Sequence, residues 1–340
     1  MKTFSILPKP RVRVIESIES AALYKSPTIE DFTFLYNNEM FAFDKSHDSK
    51  LYGKKPLDIF LYKNICLKGG GDTVNVYGDC FMVMEHQYYS HYINDIIAPF
   101  LYVRNFVPSL KLIVASNYYK EFDEKNYDFN DGIGKMMKDL VFISEKCNFE
   151  IEFVNPYSTI KVENLYYWDQ ELFLKSGKHS YDIQNNMFDI IFKLINKTFA
   201  LKNQKTEKIY ISRKNSNADS RNSISPRYIE KEELIEEYFI SLGYSVHCLE
   251  SYNLQEQIEL FSKATKVVGF TGSGFTNVLW TDRDTPIDII EISSWMDYTD
   301  NAWRRIAESL GHNFFFIGML NTNNSKKIVE NLKKFNNILM

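Results

Sequence analysis

The feature that most limits what this chain can fold into is the alternation of short apolar segments with amphipathic ones between residues 208 and 335. KIYISR (208–213), YSVHCL, KVVGF, DIIEI (288–292) and NFFFIG read as strands. KEELIEEYFISLG (231–243), LQEQIELFSKA, NAWRRIAESLG and NNSKKIVENLKKF read as helices. Strands separated by helices must run parallel, since each helix carries the chain back over the sheet and covers one of its faces. The expectation is an α/β, doubly wound domain over residues 201–321. Residues 322–340 are expected to add a C-terminal helix that could pack back on the N-terminal domain.

Residues 1–200 alternate less regularly. LDIFLYKNICL (57–67) and TVNVYGDCFMVM (73–84) flank Gly69, Gly70 and Gly71, a strand–turn–strand pattern. In 88–106, Ile93, Ile96, Ile97, Phe100 and Leu101 recur at helical spacing, with Pro99 expected to break or kink the helix. KLIVAS (111–116), FEIEFVN (149–155) and NLYYWD (164–169) suggest strands. An amphipathic helix precedes residue 141, and MFDIIFKLINKTF (187–199) suggests another. The polar LKNQKTE stretch then reads as a linker. With 26 Phe and 22 Tyr against 14 Gly in 340 residues, the chain can fill two cores.

Composition excludes several classes. Forty basic against 44 acidic side chains, net −4, give no general electrostatic grip on nucleic acid. No apolar run approaches the roughly 18 residues of a membrane span. The opening MKTFSILPKPRVRV lacks a secretion signal's apolar stretch. Cys66, Cys80, Cys147 and Cys248 are too scattered for a zinc site or a disulfide framework, and read as reduced thiols. A cytoplasmic protein is expected, with peripheral membrane association open to it.

Three constellations could carry chemistry. In GFTGSGFTN (269–277), Gly272 and Gly274 let a ligand approach the backbone, and the helix start over Ser273, Phe275, Thr276 and Asn277 suits phosphate. Glu291, closing the next strand, could accept ribose hydroxyls. In YISRKNSNADSRNSISPRY (210–228), Arg213 and Arg221 follow a strand end, where a guanidinium fork suits a diphosphate; Lys214 and Arg227 read as solvated. In YSHYIND, His91 and Asp95 share a helical face, a pairing able to supply a base or an acid near neutral pH. Other patterns carry less. Asp282-Arg283-Asp284 has a manganese-chelating spacing but precedes a strand and reads as loop. Glu256 and Gln257 read as a solvated helix face, and Trp295 and Trp303 as core.

The order YISR, Arg221, KEEL, Glu250, EQIELF, VVGFTGSGFTN and IIEI resembles the C-terminal half of glycosyltransferase family 61, and YSHYIND is similar to that family's YYHWLLD. The resemblance spans about residues 75–295 and is densest over 208–292. Thr271 stands where the family usually has His, so no role of that His carries over. Ser273, Phe275 and Tyr92 are milder departures.

The resemblance implies a GT-B-like architecture: two Rossmann-like domains facing a cleft, with the nucleotide sugar on the C-terminal one and the acceptor on the N-terminal one. It implies an inverting, metal-independent transfer to a glycan or polysaccharide hydroxyl, with the nucleotide sugar, UDP favoured, as co-substrate and no cofactor. Asp95 or His91 would be the base. Arg213, Arg221, Gly272, Ser273, Gly274, Phe275, Thr276, Asn277 and Glu291 would hold the donor. An NAD(P)-dependent or sugar-nucleotide-modifying Rossmann enzyme is the alternative, since GSGFTN imitates a dinucleotide fingerprint. A non-enzymatic sugar- or nucleotide-binding protein is a third reading.

Overall fold

The computed structural model describes residues 12–15, 21–25, 32–36, 39–42, 59–68, 71–84, 93, 97–117, 119–120, 132–168, 205–214, 229–282, 284–293, 302–318 and 322–340. Contacts divide the chain into two units, 1–191 and 192–340. The expected boundary at 200/201 and the helix expected over 187–199 lie outside the described residues.

The first unit is built on a mixed nine-stranded sheet. Its strands are β1 (Val12–Ile15), β2 (Ala21–Lys25), β3 (Phe32–Tyr36), β4 (Glu39–Ala42), β5 (Ile59–Lys68), β6 (Thr73–Met84), β7 (Lys111–Ala115), β8 (Ile151–Val154) and β9 (Thr159–Trp168). The order runs β4-β3-β2-β5-β9-β6-β7-β8, with β1 also on β5. The strands expected at 57–67 and 73–84 form, but not as a pair. Strand β9 lies between them, antiparallel to β5 and parallel to β6.

Helices α1 (Ala98–Arg104) and α2 (Gly132–Cys147) follow β6 and β7, and β6, β7 and β8 pair in parallel. That makes β6–α1–β7–α2–β8 a βαβαβ run inside the mixed sheet. Pro99 sits in the first turn of α1, where a missing N–H leaves no bond unmade. Ile93, Ile97, Phe100 and Leu101 are all buried, as their spacing required. Phe100 packs 4.6 Å, ring centre to ring centre, from Phe149, and β7 is buried from Leu112 to Ala115.

The second unit follows the alternation closely. Its order along the chain is β10 (Glu207–Ile211), α3 (Glu233–Ser241), β11 (Ser245–His247), α4 (Leu254–Ser262), β12 (Ala264–Phe270), a 3-10 helix (Ser273–Trp280), β13 (Asp288–Ser293), α5 (Ala302–Ser309), β14 (Asn313–Gly318), α6 (Ser325–Leu332) and the short α7 (Asn336–Leu339). All four strand pairings are parallel, in the order β11-β10-β12-β13-β14. On one sheet face Tyr210 stacks on Phe239 of α3 at 4.4 Å, with Val268, Ile290 and Ile292 in the same core. On the other, α4 and α5 pack against the 3-10 helix. Asn253 and Glu256 form a reciprocal capping box that starts α4.

The C-terminal segment packs within the second unit. Ile328, Leu332 and Leu339 are buried in the second unit's own core, and Tyr244 Oη donates to the Leu339 carbonyl. The reason is that α6 packs against α3, whose buried Ile235 and Phe239 offer an apolar surface close at hand.

Candidate functional site

The strand order fixes where a ligand can sit. From β10 the chain steps to β11 on one side and then to β12, β13 and β14 on the other, so the crossovers reverse direction between β10 and β12. Open parallel sheets bind ligands at the carboxyl ends of the strands flanking such a switch point. Here those ends are adjacent, with Ile211 of β10 beside Gly269 of β12. Beyond them lie Ser212–Arg213 and the Thr271–Gly274 turn.

The structure joins these two segments directly. Arg213 Nη1 donates to the Thr271 carbonyl at 3.1 Å, which fixes the half-buried guanidinium against the turn. The Thr271 amide donates in turn to the Ile292 carbonyl at 2.9 Å, anchoring the turn on β13. The amides of Gly272, Ser273 and Gly274 find no acceptor among the described residues. Three such donors beside a guanidinium suit an anion.

The two turn glycines do different jobs. A Cβ on Gly274 would come within 3.1 Å of both Ile211 Cγ2 and Leu249 Cδ1, so that glycine serves packing against β10. At Gly272 the backbone is extended and a Cβ would meet nothing nearer than the Phe270 carbonyl oxygen at 3.6 Å. Nothing inside the described fold requires a glycine there.

Past Gly274 the turn enters the core. The helix expected here is a 3-10 helix, and Phe275 through Trp280 are buried along it. Only Ser273 is well exposed. The Phe275 amide is spent on the Gly272 carbonyl at 3.2 Å. Thr276 is wholly buried. Asn277 Nδ2 donates to Gln257 Oε1, and Asn277 Oδ1 accepts from Trp280 Nε1, both at 2.9 Å. The expected phosphate cradle over 272–277 thus shortens to 272–274, because the side chains after it hold the turn in place from inside.

Glu291 pairs beside Gly269, but it does not close its strand as the sequence suggested: β13 runs on to Ser293, and Glu291 lies inside it with no exposed surface. It shares a sheet face with Gly269, over which the Phe275 ring lies. Arg221, His91, Asp95, Tyr92, Arg227 and Trp295 lie outside the described residues. Lys214 is exposed and pairs with Glu233 at 3.4 Å, the solvated reading. Asp282 is buried and Oδ1 accepts from the Asp284 amide at 2.8 Å, which makes that stretch an ordinary turn.

The glycosyltransferase 61 family model matches residues 89–287. The chain belongs to that family. It is therefore a glycosyltransferase, an enzyme that moves a sugar from a donor to an acceptor. No curated protein matches it closely enough to add to this. The match takes in YSHYIND, Arg213 and the whole glycine turn, and stops short of Glu291. It sets aside the dinucleotide-enzyme and non-enzymatic readings. So does the turn's place after the third strand of its unit, where a dinucleotide fingerprint would follow the first. No helix among the described residues is long and apolar enough to cross a membrane.

Two residues that support the glycosyltransferase's candidate site escaped the sequence reading. Gln257 is buried, not solvated, and donates to the Leu249 and Tyr252 carbonyls besides holding Asn277. Its spacing from Leu254, three residues on, does place it on the apolar face of α4. Glu232, just before α3, is also buried, and its Oε1 accepts from the Arg213 amide at 2.7 Å and from Tyr210 Oη at 3.2 Å. Burial pushes its carboxyl up, against those two hydrogen bonds. KEEL signalled a helix start and nothing about which acid turns inward.

Proposed function

We propose that this glycosyltransferase inverts its sugar's anomeric centre without a metal, drawing on a nucleoside-diphosphate donor, UDP first, bound at the carboxyl edge of the second unit's sheet. The observation that carries the reading is Arg213, held to the Thr271 carbonyl next to three amides that have no acceptor among the described residues, at the switch point. Gly272 adds to it: with neither backbone angle nor packing asking for a glycine, close approach of a ligand is the use left for it. As the sugar departs with oxocarbenium character, negative charge gathers on the diphosphate. Arg213, Arg221 and the amides of 272–274 meet that charge, so no metal is needed.

Inversion needs a base to take the acceptor hydroxyl's proton as the new bond forms. Asp95, or His91 supported by Asp95, takes that role. Both follow β6 in the first unit, whose βαβαβ run would be the Rossmann-like part of a GT-B-like plan. The acceptor is a glycan or polysaccharide hydroxyl, and Glu291, buried inside β13, is left out of the ribose contact that the sequence suggested for it.

Thermal-shift measurement against UDP, UDP-sugars, GDP-sugars, CMP-sugars and NAD tests the donor. UDP and a UDP-sugar should raise the melting temperature and NAD should not. A shift with GDP- or CMP-sugars alone would move the donor to that base, and no shift with any nucleotide would remove the reading.

A further inference from the structure

The ladder joining β10 to β12 ends at Ile211 and Gly269, yet the chain stays fixed for two residues more. Ser212 donates its amide to the His247 carbonyl at 2.9 Å and its hydroxyl to Glu236 Oε1 at 2.6 Å. The Arg213 amide has left the sheet, and Glu232 Oε1 receives it. Glu232 is only 3% exposed, and a carboxylate in such a place gives up hydration that a neutral acceptor would not have had to lose. An acid here therefore does more than end a strand. Its charge also lies close enough to the Arg213 guanidinium for each to favour the other's ionised form.

We propose that Glu232 is a positioning residue for Arg213: it pins the backbone from which the guanidinium reaches the Thr271 carbonyl and the donor's diphosphate. The inference rests on the reading that Arg213 binds that diphosphate. A purely structural role, through Tyr210 and the core beneath it, would act on stability and leave Arg213 out of account.

The two roles separate in a double-mutant cycle, read by calorimetric titration with UDP, with melting temperature as the check on folding. Glu232→Ala should weaken UDP binding about tenfold, the scale of a lost charge-assisted hydrogen bond. Glu232→Gln keeps an acceptor for both donors and should recover most of that, leaving a loss of about two- to threefold. Neither should weaken binding further when Arg213 is already Ala. Additive losses would overturn the inference, since Glu232 would then act through something other than Arg213. Wild-type affinity in both folded Glu232 variants, with Arg213→Ala weakened, would overturn it as well. Should Glu232→Ala fail to fold, the cycle runs on Glu232→Gln, whose loss must again vanish without Arg213. If the unaltered protein ignores UDP, or Arg213→Ala binds it normally, the donor-site reading fails and takes this inference with it.

Discussion

In the second unit every strand points the same way, whereas in the first β2–β3, β3–β4 and β5–β9 run antiparallel within an otherwise parallel sheet. Direction decides where function can gather. A sheet with all its strands parallel has one edge made only of carboxyl ends, and a reversal of winding opens that edge for a ligand. The mixed sheet has no such edge along its whole width. Its parallel strands fall into two groups, β9–β6–β7–β8 and β1, β2 and β5, divided by the antiparallel β5–β9 pairing, and β6 is the strand that YSHYIND follows. The proposed function accordingly gives donor binding to the second unit and acceptor activation to the first.

The sharpest way to break that division is Asp95→Asn. Asparagine keeps the size of the side chain but takes no proton at neutral pH, so turnover should fall by roughly 10²–10⁴ while UDP affinity stays as it was. Turnover assays beside UDP titration read both, with His91→Ala as companion to tell the base from its support. Loss of UDP binding in Asp95→Asn would end the division of labour.

Arg213→Ala should do the converse. Losing a charged hydrogen-bond partner costs about 1.5–3 kcal/mol of UDP binding, roughly 10- to 150-fold in affinity, in a protein that stays folded. Titration measures it, and unchanged affinity would move the donor elsewhere.

The two glycines then sharpen the picture inside the second unit. Gly274→Ala should cost about 1–3 kcal/mol of stability by crowding Ile211 and Leu249. Gly272→Ala should leave the melting temperature near that of the unaltered protein yet weaken UDP, because the methyl group occupies the donor's side. Reversal of those two outcomes would exchange their roles. The smallest expected effect is that of EDTA, which should leave turnover unchanged. Chelation that abolishes activity, with manganese restoring it, would bring Asp282 and Asp284 back into consideration.

The second unit was legible because its periods are local: apolar strands, helices with apolar faces, and a capping box at Asn253. The first unit's sheet order was not. Nothing in the sequence near β5 or β6 announces that β9, from well beyond them, will separate the two, since such pairing depends on contacts distant in the chain. At the site, Arg213 and the glycine turn could be read from strand-end chemistry. What the sequence could not tell apart was the part of GFTGSGFTN that faces outward from the part that is submerged. Thr276 and Asn277 were included because a helix start offers backbone amides to phosphate. The structure gives Asn277 to Gln257 and Trp280. His91 and Asp95 were singled out by helical spacing and by family pattern, and their geometry lies outside the described residues.

That submerged exit has a consequence for time as well as for shape. From Phe275 to Trp280 the chain is buried and tied by Asn277 to its neighbours, while Gly272, Ser273 and Gly274 carry amides with no acceptor among the described residues. In deuterated water the open amides should exchange almost at once, and those of the buried stretch only when the unit as a whole comes apart. An isotope clock would therefore run at two speeds across one short turn, changing pace at Phe275.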